Sequence, residues 1–553
     1  MNSPAAGAPA YVVWWNRLRS DRGLLWVLPL IVFVVERFFW PKVASWREDE
    51  ATVMWIGHRY GVLDFTTGII SSTGVPNPPG LLWVAKLVSF APDLYWSGVF
   101  LQLLHLALLF GLCWALTRRV SAGAGLALFL SIGCLLAYRS SGSEPFSQWL
   151  MLPTTLACVY FFMGCVTQPS FARLFVLLGL LWIPPALYIA GVLNSAIFAL
   201  AIGACLGRAD FRRRLLASDW KRPLGIFALW SAAQLLLIWK PYFSVVALHD
   251  LRSVSKTAPG ERLGLAVLEL LRLPIWLWEY TINAEFRPSY YNDARIVSSS
   301  WFLLLGHAAQ WLFRLLVVAV VAIGVRARIW KQAERWRWIY WPLALLLLAL
   351  VLSPLLGGPC FTRGERQDIG FQWTCLVFLP IAVVLAAPGV VAPLRVAGYG
   401  LLLSFVAAQM VAGFITYRAH NRYQGDVLTE VDVPVRQKMA VIDAIVAEAK
   451  QRHLDGDIPI QYAVGGGIWN WIGRIRHPKL EHYGYPYTLG RAYDYDLERR
   501  YGIKNSFEGR RQRSPKWGFR VNYRFEPPLE RAGEGFEREI GRLRVMFRPK
   551  RGS

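Results

Sequence analysis

Three consecutive acids, Glu48, Asp49 and Glu50, follow closely on an apolar tract long enough to enter a bilayer. Another, Glu144, stands in the short stretch from Arg139 to Glu144 between two later apolar tracts. A carboxylate in a partly desolvated pocket beside a second acid has its pKa raised from about 3.9 toward the range where it can take a proton from a hydroxyl nucleophile. The alternative is a solvated acidic face just outside a helix, which such a run forms with no chemical duty. Arginines accompany the acids: Arg139, and Arg363 with Arg366 in RGERQDIGFQW. Guanidinium groups fork onto phosphate oxygens, so these residues are candidate phosphate contacts; for Arg363 and Arg366 the alternative is pairing with Glu365 and Asp368 or with anionic lipid. Lys86, shortly after Pro78-Pro79, offers either a further phosphate contact or a chain that snorkels to headgroups. The aromatic, basic stretch from Glu285 to Trp301, with Arg287, Tyr290 and Tyr291, reads either as a loop that closes over substrate or as an interfacial ledge. His58 and His420 stand singly and no C-x-x-C pair occurs, so neither a metal site nor a disulfide framework is indicated.

The elements that must position these residues are set by composition. The chain has 553 residues, 55% of them hydrophobic, with 26 Trp and a mean hydropathy of +0.34, which excludes an ordinary soluble domain and indicates a polytopic membrane protein. The net charge of +24 does not point to nucleic acid, because much of the Lys and Arg lies in short loops between apolar tracts. A spanning helix needs about 20 apolar residues. Tracts of that kind run over 24–40, 94–117, 120–138, 145–166, 171–188, 190–207, 223–242, 301–325, 339–356, 371–388 and 396–416, about eleven spans in all. The first lacks a small-residue cleavage site after it and reads as an uncleaved helix. Pro184 and Pro185 mark a turn or kink inside 171–207, and two helices there keep the Arg-rich loops at 208–222 and 326–337 on the side of the N-terminus. That side is expected to be cytoplasmic, which leaves 41–93, 243–300 and 357–370 outside, with about 264–282 lying in the interface.

Past residue 416 the composition becomes that of a soluble domain, expected to be an extracytoplasmic α/β unit over 417–553. Val433 to His453 reads as a helix with Val435, Met439, Ile442 and Val446 on one stripe, and Ile458 to Val464 as a strand running into Gly465-Gly466-Gly467. In GFRVNYRF, Phe519, Val521, Tyr523 and Phe525 alternate with polar residues, a half-buried strand pattern. The triple glycine lacks the spacing of a phosphate-binding loop and reads as a turn.

The order of a first helix, then Asp49-Glu50-Ala51, then VPNPPGLLW resembles the GT-C superfamily of integral-membrane glycosyltransferases. It is most similar to the branch of the protein O-mannosyltransferases and the lipid A aminoarabinose transferases. YRSSGSEPFSQWL, with Arg139 and Glu144, resembles the second external acidic motif of that family, and RGERQDIGFQWTCLVFLP a late external loop before a proline-containing span. Asn77 stands where some relatives carry Lys. The resemblance implies a GT-C-like, all-α bundle over 1–416 and a multi-pass protein of the inner membrane. It also implies transfer of a sugar from a polyprenyl-phosphate donor to a hydroxyl on a lipid, glycan or protein acceptor. Asp49 would be the base, with Glu50 and Glu144 as the accompanying acids and Arg363, Arg366, Lys86 and Arg139 holding the leaving phosphate. No cofactor is required by this reading; a divalent cation belongs to the oligosaccharide-transferring alternative. The other alternative is a lipid-linked sugar flippase or transporter, against which the acids lie at helix mouths rather than at the midplane of two repeated halves.

Overall fold

The apolar tracts fold as helices, and the chain past residue 434 folds as a small mixed sheet with two helices. The computed structural model describes residues 24–43, 48–62, 77–135, 138–139, 147–188, 191–243, 259–275, 300–356, 373–388, 390–422, 434–454, 456–462, 491–506, 518–523, 536–541 and 543–549. In chain order the helices of the bundle are α1 (Leu24–Arg37), α2 (Trp40–Val43), α3 (Glu48–Arg59), α4 (Gly80–Val88), α5 (Leu94–Arg119), α6 (Ala122–Gly133), α7 (Ser147–Thr167), α8 (Phe171–Leu180), α9 (Ile183–Leu187), α10 (Gly191–Leu206), α11 (Ala209–Leu216), α12 (Lys221–Phe243), α13 (Pro259–Ile275), α14 (Ser300–Arg326), α15 (Ala333–Leu355), α16 (Thr374–Leu385) and α17 (Ala392–Arg422). The C-terminal unit follows as α18 (Val435–Gln451), β1 (Ile460–Tyr462), α19 (Arg491–Tyr501), β2 (Gly518–Tyr523), β3 (Glu537–Ile540) and β4 (Leu543–Arg548).

Among the described residues, five helices are long and apolar enough to cross a membrane, at 94–119, 150–167, 304–326, 333–355 and 392–415. A sixth span arises if α10 and α11 are taken as one, although the chain bends by 93° between them. Of the about eleven expected spans, five or six are thus found at full length among the described residues, and other apolar tracts hold shorter helices. The reason is local. At about 1.5 Å per residue, a helix of a dozen residues reaches only about 18 Å, well short of the ~30 Å hydrocarbon core. Both α6 and α16 have that length. The 171–188 tract breaks at Leu181-Trp182, and Pro184 and Pro185 open the first turn of α9, where a missing N–H leaves no bond unmade. Helix starts follow short polar caps: Asp93 accepts from the Trp96 amide at 2.8 Å and Ser121 from the Ala124 amide at 3.2 Å.

Helix α16 lies at the centre. All its side chains are buried, as befits a helix that is apolar all round. Phe378 from α16, Phe313 from α14 and Phe405 from α17 meet with ring centroids 5.8 to 6.1 Å apart and fasten three helices together. Helix α1 turns Trp26 and Phe33 inward and leaves Leu28, Ile31 and Val35 exposed, the arrangement expected of a peripheral helix facing lipid. Helix α13, at the stretch expected to lie in the interface, packs on α15 and buries Glu269. The six cysteines within or beside the apolar tracts are all buried and in no disulfide.

In the C-terminal unit the strands are ordered β1-β2-β4-β3, with β1 parallel to β2 and the other pairs antiparallel. The expected alternation is observed: Phe519 and Val521 are buried, and Phe519 pairs across the sheet with Phe547, their rings 4.9 Å apart. The stripe on α18 also faces inward, with Val435, Ile442 and Val446 buried. The expected strand at 458–464 is described over Ile460–Tyr462; the β3–β4 hairpin and α19 are not among the elements read from the sequence, and 463–467 and Phe525 lie outside the described residues.

Helices α3 and α4 approach closely at Gly57, where a Cβ would come within 2.9 Å of the Ala85 Cβ and 3.0 Å of the Lys86 amide nitrogen. Gly57→Val is expected to overpack this contact and cost about 1–3 kcal/mol. Thermal unfolding of the detergent-purified protein should show a lowered midpoint, and Gly111→Ala, which meets nothing within 4 Å, should show none.

Candidate active site where the C-terminal unit meets the bundle

The backbone places Glu48, Asp49 and Glu50 in the first turn of α3. There the unpaired amides and the positive end of the helix dipole favour ionised carboxylates, the form a general base requires. Their side chains lie outside the described residues, as do Glu144, Arg363, Arg366, Arg287, Tyr290 and Tyr291. The body of α3 is firmly seated: Ala51, Val53, Met54, Trp55 and Ile56 are buried against Leu81, Leu82 and Ala85 of α4, Leu101 of α5 and Tyr495 of α19. Lys86 is half-buried and donates to the His58 carbonyl at 3.3 Å, so it ties α4 to the end of α3. Asn77, at the position where some relatives of the resembled family carry Lys, is buried just before the double proline.

A second group of charges lies where α1, α5, the helical residues 138–139 and α17 converge. Glu36, in the last turn of α1, is ion-paired with Arg139 and accepts from Trp40 Nε1 at 3.1 Å. Arg37 lies 3.4 Å from the same carboxylate and donates to the Gly133 carbonyl at 3.1 Å, which ends α6. Arg139 also donates to the Gln409 carbonyl at 2.6 Å, and its own carbonyl accepts from Gln102 Nε2 at 2.5 Å. Both guanidinium groups are completely buried. They also lie near aromatic faces, Arg37 5.7 Å from the Tyr138 ring and Arg139 5.8 Å from the Trp40 ring. Among the described residues, one carboxylate faces two guanidinium groups in this cluster. The sequence reading assigned Arg139 to phosphate; in the fold it is buried and engaged with Glu36 and Gln409. Glu36 and Arg37 enter no site in that reading, although two charges ending an apolar tract are a recognisable signal.

Beside this cluster a groove of about 430 Å³ runs between α1 and α17. Ile31, Val32, Val35, Met410 and Phe414 line it, with Glu36, Trp40 and Tyr417 toward α2. Ile31, Val35 and Phe414 are more than half exposed, so the groove is accessible from the lipid-facing side of the bundle. An apolar groove of this kind can hold a long hydrocarbon chain; among the described residues, its one charged lining residue is Glu36, which Arg139 neutralises from behind.

No family model and no curated protein matches the chain. Among solved structures, it is similar to ArnT from Cupriavidus metallidurans bound to undecaprenyl phosphate, with 13% identity and a TM-score of 0.41 over 94% of this chain and 98% of that one. It is similar to the same protein in the apo state with 12% identity and a TM-score of 0.40 over 98% of each chain.

Removing one partner of a buried ion pair costs about 3–5 kcal/mol, whereas replacing both with apolar groups is close to neutral. Arg139→Met is therefore expected to destabilise the bundle by less than that amount, because Glu36 still faces Arg37, and Glu36→Met/Arg139→Met to recover little, because it leaves the buried Arg37 without a carboxylate. The thermal midpoints of the single and double variants in detergent measure the coupling.

Proposed function

We propose that this chain is an integral-membrane glycosyltransferase of the GT-C type. It takes a sugar from a polyprenyl-phosphate donor and passes it to an acceptor hydroxyl on the extracytoplasmic side. The observation that carries this reading is the placement of Asp49 and Glu50 in the first turn of α3, which follows α1 and α2 directly, while α1 forms one wall of a groove suited to a polyprenyl tail. The motif order from Asp49 through Pro78-Pro79 supports it from the sequence.

In this mechanism the tail lies between α1 and α17 and the headgroup reaches the first turn of α3. Asp49 takes the proton of the acceptor hydroxyl as its oxygen attacks the anomeric carbon from the face opposite the phosphate. The C–O bond to phosphate breaks, the configuration inverts, and polyprenyl phosphate leaves. Glu50 and Glu144 flank the base. Arg363 and Arg366 stabilise the phosphate as it gains charge, the task that fixed cations perform best in a site shielded from water. Lys86 contributes positive charge at the α3–α4 junction, and Arg287, Tyr290 and Tyr291 belong to the segment that covers the substrate. The acceptor is a hydroxyl of a lipid, a glycan or a protein.

Asp49→Asn keeps the size of the side chain and removes the base. Membranes holding the wild-type chain should consume radiolabelled sugar from one member of a polyprenyl-phosphate sugar panel. The Asn variant should bind that donor and turn it over about 10²- to 10⁴-fold more slowly. Equal turnover by both forms would remove Asp49 from the mechanism, and consumption of no donor by the wild type would remove the glycosyltransferase reading.

A further inference from the structure

Helix α19 is polar in sequence, RAYDYDLERRY, yet its residues 493–497 are consecutively buried. It is wedged between the C-terminal sheet and the bundle. Tyr493 and Leu497 enter the core of the C-terminal unit, while Tyr495 joins the apolar cluster built on α3 and α4. From one stretch of α19, four side chains reach α3, the turn after α4 and the start of α5.

Glu498 forms a two-pronged ion pair with Arg59, the last residue of α3; the Arg59 Nε lies 3.0 Å from Oε2. The same guanidinium stacks 4.2 Å from the Trp55 ring one turn earlier, so it is held in place before it meets the carboxylate. Arg499 donates to the carbonyls of Ala91 at 2.7 Å and Phe90 at 2.6 Å, just past the end of α4. Asp496 accepts from the Leu94 amide at 3.2 Å, at the first residue of α5, and the Tyr495 hydroxyl lies 3.4 Å from that of Ser97. The Tyr495 ring also packs edge-on to His58, 5.6 Å between centroids.

We propose that α19 is a positioning clamp: by gripping the end of α3, the turn after α4 and the start of α5 together, it sets the orientation of the helix whose first turn carries Asp49 and Glu50. This rests on the reading of α3 as the base-bearing helix. None of the α19 side chains is a catalytic residue; they act through α3. The C-terminal unit thus belongs to the active site as its support. An ion pair of this exposure contributes little to overall stability, so its effect falls on geometry, where a misplacement of about 1 Å costs about 10²-fold in rate.

Asp496 adds a pH dependence. Burial pushes its carboxyl up to about 7. The Leu94 amide and Arg500, whose Nη1 is 3.8 Å away, oppose that rise, while Asp93 on the bundle side and Asp443 on α18 add to it. With the folded pKa above the unfolded one, the seated state is favoured most at acid pH and loses that advantage as pH rises through about 7.

The test uses the full-length protein in detergent and compares wild type with Glu498→Arg, Arg59→Glu, the double charge swap and Asp496→Asn. Amide exchange over residues 48–59 is the primary readout. Each single charge variant should speed exchange there by about tenfold and lower kcat by roughly 10- to 100-fold with little change in donor KM, and the swap should restore both. Protection of 48–59 in wild type should weaken from pH 5 to 8, and Asp496→Asn should flatten that slope. Unchanged exchange in Glu498→Arg, loss that the swap fails to restore, or faster exchange with undiminished kcat would each overturn the clamp. If wild-type protein transfers no sugar from any donor, the glycosyltransferase reading fails, and the exchange arms alone decide whether α19 holds α3.

Discussion

A guanidinium group buried in an apolar bundle must find its partners inside the protein, because no water is present to replace them. Arg139 meets this requirement only where α1, α5 and α17 converge: Glu36 supplies the opposing charge, Gln409 a carbonyl, and Gln102 takes up the Arg139 carbonyl. Arg37 adds a further condition by binding the carbonyl that ends α6. Through Arg139, the end of α1 is thereby joined to α17, and the groove between these two helices lies beside that joint.

The short helices above this closure are organised by a different force. Helices α3 and α4 bury a continuous apolar surface on one another, on α5 and on the C-terminal unit, with Gly57 allowing the close approach. Val435 of α18 and Tyr495 of α19 belong to the same cluster as the core of α3. The membrane bundle and the C-terminal unit thus share a hydrophobic core at their junction, and a ring of polar contacts from α19 fixes its register. His58 at that junction has its imidazole pKa held below the ordinary value, by burial first and by the nearby Arg499 second, so it remains neutral at physiological pH.

These two arrangements fit one chemistry. Carboxylates at the start of a helix meet the positive end of its dipole, and an apolar groove open at the side of the bundle suits a hydrocarbon tail. The short helices are held on one side by the bundle and on the other by the C-terminal unit. A carrier would instead place its charges near the bilayer midplane and leave them free to meet alternating sides.

The sequence alone established the membrane-spanning class, because apolar tracts near the length of a bilayer, ended by Trp, Tyr and Arg, have few other stable fates. It also established the long spans α5, α7 and α17, the buried strand around Phe519 and the inward stripe of α18, where periodicity acts over consecutive residues. It pointed to Asp49 and its neighbours through the order of short motifs. It did not show that several apolar tracts would form helices too short to cross a bilayer, since helix ends at Gly133 and Trp182 depend on what those backbones meet. Nor did it show the roles of Glu36, Arg139, Asp496 and Glu498. Each of these acts through a partner tens to hundreds of positions away, and RAYDYDLERRY in isolation reads as a solvated helix. Local hydropathy encodes which segments leave water; only the tertiary structure decides which charges must leave with them and what those charges then bind.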